Sequence, residues 1–176
     1  MPGVRTAHAD NSSADNVLME IRGYKFAQNR EFGDCLQGVI GGLLELADCT
    51  QADLKFVGSF QQVVQKWKPV LTNLTVQPED EQAIIEGVEK FWLEPEPKAS
   101  KFPLFRIILQ VLYKLDIVSH DALLEWVERR RALDDEDANL KALFNHPGTQ
   151  ELVAWLEEEE EEDDEEEDDD DDDEEN

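Results

Sequence analysis

Cysteine is scarce: Cys35 and Cys49 are the only two among 176 residues, and neither belongs to a CxxC or a CxxC-and-HxxxH pattern. That spacing supports neither a disulfide framework nor a zinc site, and two reduced, buried thiols are expected. Long apolar runs are missing too, since no stretch approaches the roughly 18 to 20 residues needed to span a bilayer, and no hydrophobic signal core opens the chain. A cytoplasmic protein is expected. Positive charge is the third scarcity, with 16 lysines and arginines against 43 acids and a formal charge of -27. Phosphate binding depends on cations that release condensed counterions, so nucleic acid is disfavoured as a partner, as is an anionic membrane. Lysine-rich protein segments are favoured instead, through an attraction that salt screens. There is no phosphate loop, no Ser or Cys nucleophile beside a plausible His, and no metal-ligand spacing among His8, His120 and His146. With so many acids, paired carboxylates say nothing about catalysis, and no cofactor, metal or bond-making chemistry is expected.

What is present is one domain's worth of chain with its charge very unevenly spread. Glu157 to Glu175 is an unbroken run of 19 acids, leaving 24 acids against 16 cations elsewhere. Residues 1–13 are small and polar without periodicity and read as a flexible leader, 14–157 as the folded body, and 158–176 as an acidic tail whose self-repulsion keeps it disordered.

Within the body, Val17, Leu18, Ile21 and Tyr24 recur at helical spacing on a first helix that ends near Asn29. A second, from about Glu31 to Ala47, is too apolar for a surface helix and is expected to be central, with Gly38, Gly41 and Gly42 compensated by a closely packed neighbour. A third runs from about Gln51 to Lys66, with a break or kink at Pro69 before Val70 to Leu74. Pro78 and the acids Glu79, Asp80 and Glu81 suit the start of the next helix. Glu94-Pro95-Glu96-Pro97 stops it, and Phe102 to Leu115 forms another core helix. Ser119 can cap the helix Asp121 to Arg131, whose last turn carries Arg129, Arg130 and Arg131 as a solvated face matched to the helix dipole. Shorter helices follow at about Asn139 to Asn145 and Thr149 to Leu156. No strand ladder appears. The fold class is all-α, with antiparallel helix pairs stacked side by side as in HEAT-like repeats.

Three features exceed what such a fold requires. Glu20 lies at the edge of the first helix's apolar stripe, where a surface ion pair is the plain explanation. Glu89-Lys-Phe-Trp-Leu-Glu-Pro-Glu96 sets bulky rings beside carboxylates, although core packing alone would account for Phe91 and Trp92. Leu152-Val-Ala-Trp-Leu-Glu157 runs into the polyacid, where Trp155 could anchor a partner.

These two aromatic and acidic boxes resemble the W-two domain, a HEAT-like module of translation initiation factors, over about residues 14–165. Asp15-Asn-Val-Leu-Met-Glu-Ile21, Tyr24-Lys-Phe-Ala27, Leu112-Tyr-Lys-Leu-Asp-Ile117 and Leu124-Glu-Trp126 look most like one branch of it. That branch is the catalytic C-terminal segment of the epsilon subunit of the guanine nucleotide exchange factor for eukaryotic initiation factor two.

The resemblance implies that Glu20 matches a glutamate required for nucleotide exchange. It also implies docking of a lysine-rich segment of the beta subunit of initiation factor two on Glu89, Trp92, Glu94 and Glu96, and on Trp155 with Glu157, Glu158, Glu159, Glu160, Glu161 and Glu162. The GTPase gamma subunit and the exchange factor's other subunits would be further partners. Two positions depart from the pattern: Arg22 stands where relatives often have Asn, and the acidic run lacks interspersed serines. The absence of nucleotidyltransferase-like and β-helical regions reads as an excised catalytic fragment. The competing expectations are a noncatalytic adaptor, like the related domain of initiation factor five or of a translational scaffold, and an acidic histone chaperone.

Overall fold

Apolar residues at intervals of three and four become the buried faces of nine α-helices among the described residues of the computed structural model, which are 2–9, 12–134 and 136–168. In chain order the helices are α1 (Pro2–Ala9), α2 (Ala14–Gln28), α3 (Phe32–Ala47), α4 (Asp53–Leu74), α5 (Pro78–Leu93), α6 (Phe102–Lys114), α7 (His120–Arg131), α8 (Ala138–Phe144) and α9 (Pro147–Asp168). They pack in two rows. One runs α2, α4, α6, α9 and the other α1, α3, α5, α7, with α3 packed on both α4 and α5. This is the stacked, HEAT-like, all-α arrangement expected from the sequence. Between the rows lie Trp67, Trp92, Trp126, Phe56, Phe60 and Phe105, all essentially without solvent contact.

Local chemistry fixes the helix ends. The Ser13 hydroxyl caps α2 by accepting from the Asn16 amide at 3.3 Å, and Asn29 ends it in the left-handed conformation at φ 48°. Asp80 accepts from the Val76 and Gln77 amides, both at 2.9 Å, and closes a capping box at the start of α5. Ser119 caps α7 and is itself held by Glu81, which accepts from its amide and hydroxyl at 2.7 Å each.

The structure differs from the sequence reading in four places. First, α4 runs through Pro69 without a break. A proline inside a helix costs about 3 kcal/mol or more. Continuing the helix buries Val70, Leu71 and Leu74 completely, each worth about 1.5–3 kcal/mol, so burial wins. Thr72 and Asn73 side chains add bonds to the carbonyls of Lys68 (3.0 Å) and Pro69 (2.7 Å).

Second, the expected leader contains α1. Ala7 is buried, Arg5 pairs with Glu45 at 3.1 Å, and the buried indole of Trp67 donates to His8 Nδ1 at 3.2 Å. One small residue and one indole in need of an acceptor hold this helix, which explains why no apolar stripe announced it.

Third, the acidic run is helical as far as Asp168, so the 157/158 boundary falls inside α9; residues 169–176 lie outside the described part. Glutamate is a good helix former, and the turn from Leu152 to Leu156 is already docked, so each further residue extends an existing nucleus.

Fourth, the close packing on α3 is met by a glycine of the neighbouring helix. A Cβ at Gly87 of α5 would lie 3.0 Å from the Gln37 Cα and closer still to Ile40, whereas one at Gly41 would meet nothing within 4 Å. Gly41→Ala is therefore expected to stabilise the fold by about 0.5–1 kcal/mol. Gly87→Ala is expected to destabilise it by about 1–3 kcal/mol. Urea denaturation of the two variants separates these outcomes, and equal stabilities would contradict the close approach.

Candidate functional site

The sequence-derived site residues fall into three groups in space. Glu20 sits on α2, exposed, and among the described residues its side chain has neither an ion pair nor a hydrogen bond. Its helix buries Val17, Leu18 and Ile21, which turns Glu20 outward at one end of a row.

The mid-chain box divides. Glu94 and Glu96 are exposed just past the end of α5, Glu94 lying 3.9 Å from the Lys90 ammonium. Glu89 and Trp92 do not belong with them, because both are buried. Trp92 packs edge-on against Phe91 and Phe105 at 5.4 and 5.8 Å and donates its indole N–H to the Lys101 carbonyl at 2.8 Å. The Glu89 carboxylate takes two hydrogen bonds from Arg130 Nε and Nη2, at 2.8 and 2.6 Å, and another from the Trp126 indole. Both side chains are enclosed by the protein's own residues, so the structure places them in the core rather than on the docking surface expected from the sequence.

Arg130 is corrected with them. It is mostly buried rather than part of a solvated arginine face. Burial by itself would lower its pKa, but the hydrogen bonds and charge of Glu89, reinforced by Glu86 and Asp137, outweigh that and hold the guanidinium above its ordinary range. No sequence signal pointed to this connection: Trp126 and Arg130 stand one turn apart on α7, but their shared acceptor lies some forty residues away.

The third group is the start of the acidic run on α9. Trp155 is half-buried, its ring edge-on to Tyr113 at 5.5 Å, while Leu152, Val153 and Leu156 are buried beneath it. Glu157 accepts from Arg131 at 2.6 Å, a bond that raises the arginine's pKa. Glu159 reaches the Tyr113 hydroxyl at 3.3 Å and His120 Nδ1 at 3.4 Å. Glu158, Glu160, Glu161 and Glu162 are exposed. Consecutive arginines of α7 thus reach the two boxes, Arg130 through Glu89 and Arg131 through Glu157, and both boxes border the C-terminal end of α7.

None of this resembles a catalytic pocket. A groove of about 540 Å³ beside α3 and α5 is lined by Arg30, Asp34, Gly41, Glu45, Lys90 and Glu94, a mixed-charge set without a nucleophile and base in concert. Among the described residues no group of His, Cys, Asp or Glu could hold a metal ion. Cys35 is buried, and burial pushes its thiol pKa up; Cys49 is half-buried. What these surfaces can offer is partner contact, through exposed carboxylates, a half-exposed indole and an isolated glutamate.

Residues 80–166 match the family described as W2: eIF4-gamma/eIF5/eIF2-epsilon. Over that span, just under half of the chain, the protein is similar to a W2 domain. It is 26% identical over 136 residues to the translation initiation factor eIF2B subunit epsilon of Dictyostelium discoideum, an alignment covering 76% of this chain and 19% of that protein. It is 23% identical over 150 residues to the protein of the same name from Schizosaccharomyces pombe, covering 85% and 21% respectively. The chain therefore spans about a fifth of the length of the curated relatives it matches. The W2 match runs from the first turn of α5 into α9 and includes both acidic boxes, whereas α2 with Glu20 lies outside it.

Removing the Glu89 carboxylate would strand Arg130 in the interior. Glu89→Ala is expected to cost roughly 3–5 kcal/mol of folding stability. Chemical denaturation measures this directly; a variant of undiminished stability that bound partners less well would return Glu89 to the docking surface.

Proposed function

We propose that the chain promotes guanine nucleotide exchange on translation initiation factor two. The exposed acids of α9, with Trp155 and with Glu94 and Glu96 past the end of α5, would dock a lysine-rich segment of the factor's beta subunit. Docking raises the effective concentration of the helical body at the GTPase gamma subunit. Exchange itself requires no covalent chemistry, only tighter binding to the empty GTPase than to the nucleotide-bound form. Glu20 would supply that difference, either by disturbing the magnesium and phosphate region or by pairing with a basic side chain freed as nucleotide leaves. The setting would be cytoplasmic, with the remaining subunits of the exchange factor as neighbours.

The observation that carries this reading is Glu20 itself. In a molecule whose relatives are named eIF2B epsilon, it is an exposed carboxylate without a partner among the described residues, on a helix whose inner face is fully occupied. A noncatalytic adaptor is the second reading, favoured by the W2 match ending short of α2.

Glu20→Ala is expected to slow GDP release from purified initiation factor two by more than about tenfold, roughly 1.4 kcal/mol of lost transition-state stabilisation, without weakening docking. Trp155→Ala is expected to do the reverse, weakening docking by more than about 1 kcal/mol. A nucleotide-release assay run beside a pull-down separates the two, and unchanged release with Glu20→Ala would leave the adaptor reading in place.

A further inference from the structure

The first acidic box carries a cation of its own. The chain leaves α5 through Glu94-Pro95-Glu96-Pro97-Lys98, and in a continued helix the Phe91 and Leu93 carbonyls would accept from the amides of residues 95 and 97. Both are prolines and have no N–H to give. The chain folds back instead. The Lys98 amide donates to the Trp92 carbonyl at 2.8 Å, and the Lys98 ammonium donates to the carbonyls of Phe91 at 2.5 Å and Glu94 at 2.9 Å. The same ammonium lies 4.7 Å from the centre of the Phe91 ring.

The chemistry of this small site selects its occupant. It offers only groups that attract a cation: carbonyl oxygens at the negative end of a helix dipole, and the face of an aromatic ring. They converge on the single atom Lys98 Nζ, an arrangement that suits the compact ammonium of lysine better than the flat fork of arginine. Phe91 is half-buried and, with Glu94, lines the open groove beside α3 and α5, so the site is reachable from solvent. The charge of the box is decided here as well. Glu89 is occupied by Arg130, and Lys90 and Lys98 offset the exposed Glu94 and Glu96, so the folded segment has no net charge to draw in a cation. The acidic helix α9 differs, since it contains no lysine or arginine.

We propose that Lys98 is an internal stand-in for a partner's lysine: the Phe91 ring with the Phe91 and Glu94 carbonyls forms a lysine-ammonium site, and an incoming lysine enters it only by displacing Lys98. This rests on the reading of the acidic surfaces as a dock for a lysine-rich segment, and adds that the first box is held closed while α9 stands open. Lys98 follows Glu94 closely, and Pro95 and Pro97 restrict the stretch between them, so its effective concentration at the site is high. A lone lysine from solution loses that competition. A segment already tethered on α9 has a high effective concentration of its own and displaces Lys98. The first box thus adds its contact only for a partner that α9 holds already.

The test measures binding of a decalysine peptide at physiological ionic strength, where charges more than about 8 Å apart are largely screened. Lys98→Met keeps the aliphatic stem and removes the ammonium, and is expected to tighten binding about threefold or more, as is Lys98→Gln. Lys55→Met removes an equal charge from an exposed position on α4 and is expected to change affinity by less than about 1.5-fold. In a Phe91→Leu background the gain from Lys98→Met is expected to vanish, because the ring that the substitution frees is gone. A gain no larger than that of Lys55→Met, or one that survives loss of the ring, overturns the proposal. Weaker binding by both Lys98 variants does so too, since it makes Lys98 a helix cap and nothing more. Those outcomes leave docking on α9 standing, because the unmodified chain binds decalysine in each of them. Binding by neither the unmodified chain nor the Lys98 variants removes the docking reading and this inference with it.

Discussion

The approach of α3 to α5 at Gly87 is the constraint on which the remaining geometry rests. With no side chain at that position, Gln37 and Ile40 press directly on the α5 backbone. Two residues on, about 200° around the helix, Glu89 points away from α3 and toward α7. There it receives Arg130 and Trp126, which fixes α7 on the far side of α5. The next residue of α7, Arg131, reaches Glu157 and helps seat the acidic helix α9. A steric allowance in one helix is thereby converted, through a buried carboxylate and two neighbouring arginines, into the position of a charged surface two helices away.

Energies along this path differ greatly in kind. The Glu89–Arg130 pair is shielded, and each partner is satisfied by hydrogen bonds, so separating the two is costly even where replacing both by apolar residues would not be. The Arg131–Glu157 pair is about half exposed and screened, and pairs of that kind contribute on the order of 0–1 kcal/mol. The apolar underside of α9, with Leu152, Val153 and Leu156 buried, holds the helix more firmly than its charges do. The exposed carboxylates of Glu158, Glu160, Glu161 and Glu162 remain available to an outside cation without loss of the docked turn.

Much of this was legible in the sequence because it is local. Helical periodicity, the cap at Ser119 and the glycine-rich central helix α3 can be read from neighbours within a few positions, and the stack of helix pairs followed from them. The errors share the opposite property. Pro69 looked like a break because its cost is local while the compensation, burial of Val70, Leu71 and Leu74 against other helices, is not. Glu89 and Trp92 read as a binding box because a carboxylate beside an aromatic ring has the same composition inside a core as on a surface. Only Arg130, forty-one positions away, decides between them. Residues Pro2–Ala9 looked featureless because their acceptor for the Trp67 indole is a single histidine.

The two proposed contact sites, Glu20 on α2 and the acids of α9, stand at opposite ends of one row. The path from α2 through α4 and α6 to α9 crosses three helix-helix contacts. At interaxial distances of roughly 8–10 Å this separates the end helices by about 25–30 Å. An extended peptide spans that distance only with about eight or nine residues, so a compact partner engaging both must bring either two subunits or one broad surface. The row between is close-packed, and the spacing is therefore fixed by the protein rather than by a linker. A cation-bearing segment held on α9 and the group met by Glu20 on α2 would have to lie at that separation on the partner. Recognition of such a partner would depend on distance as well as on charge, which distinguishes it from nonspecific attraction to a polyacid.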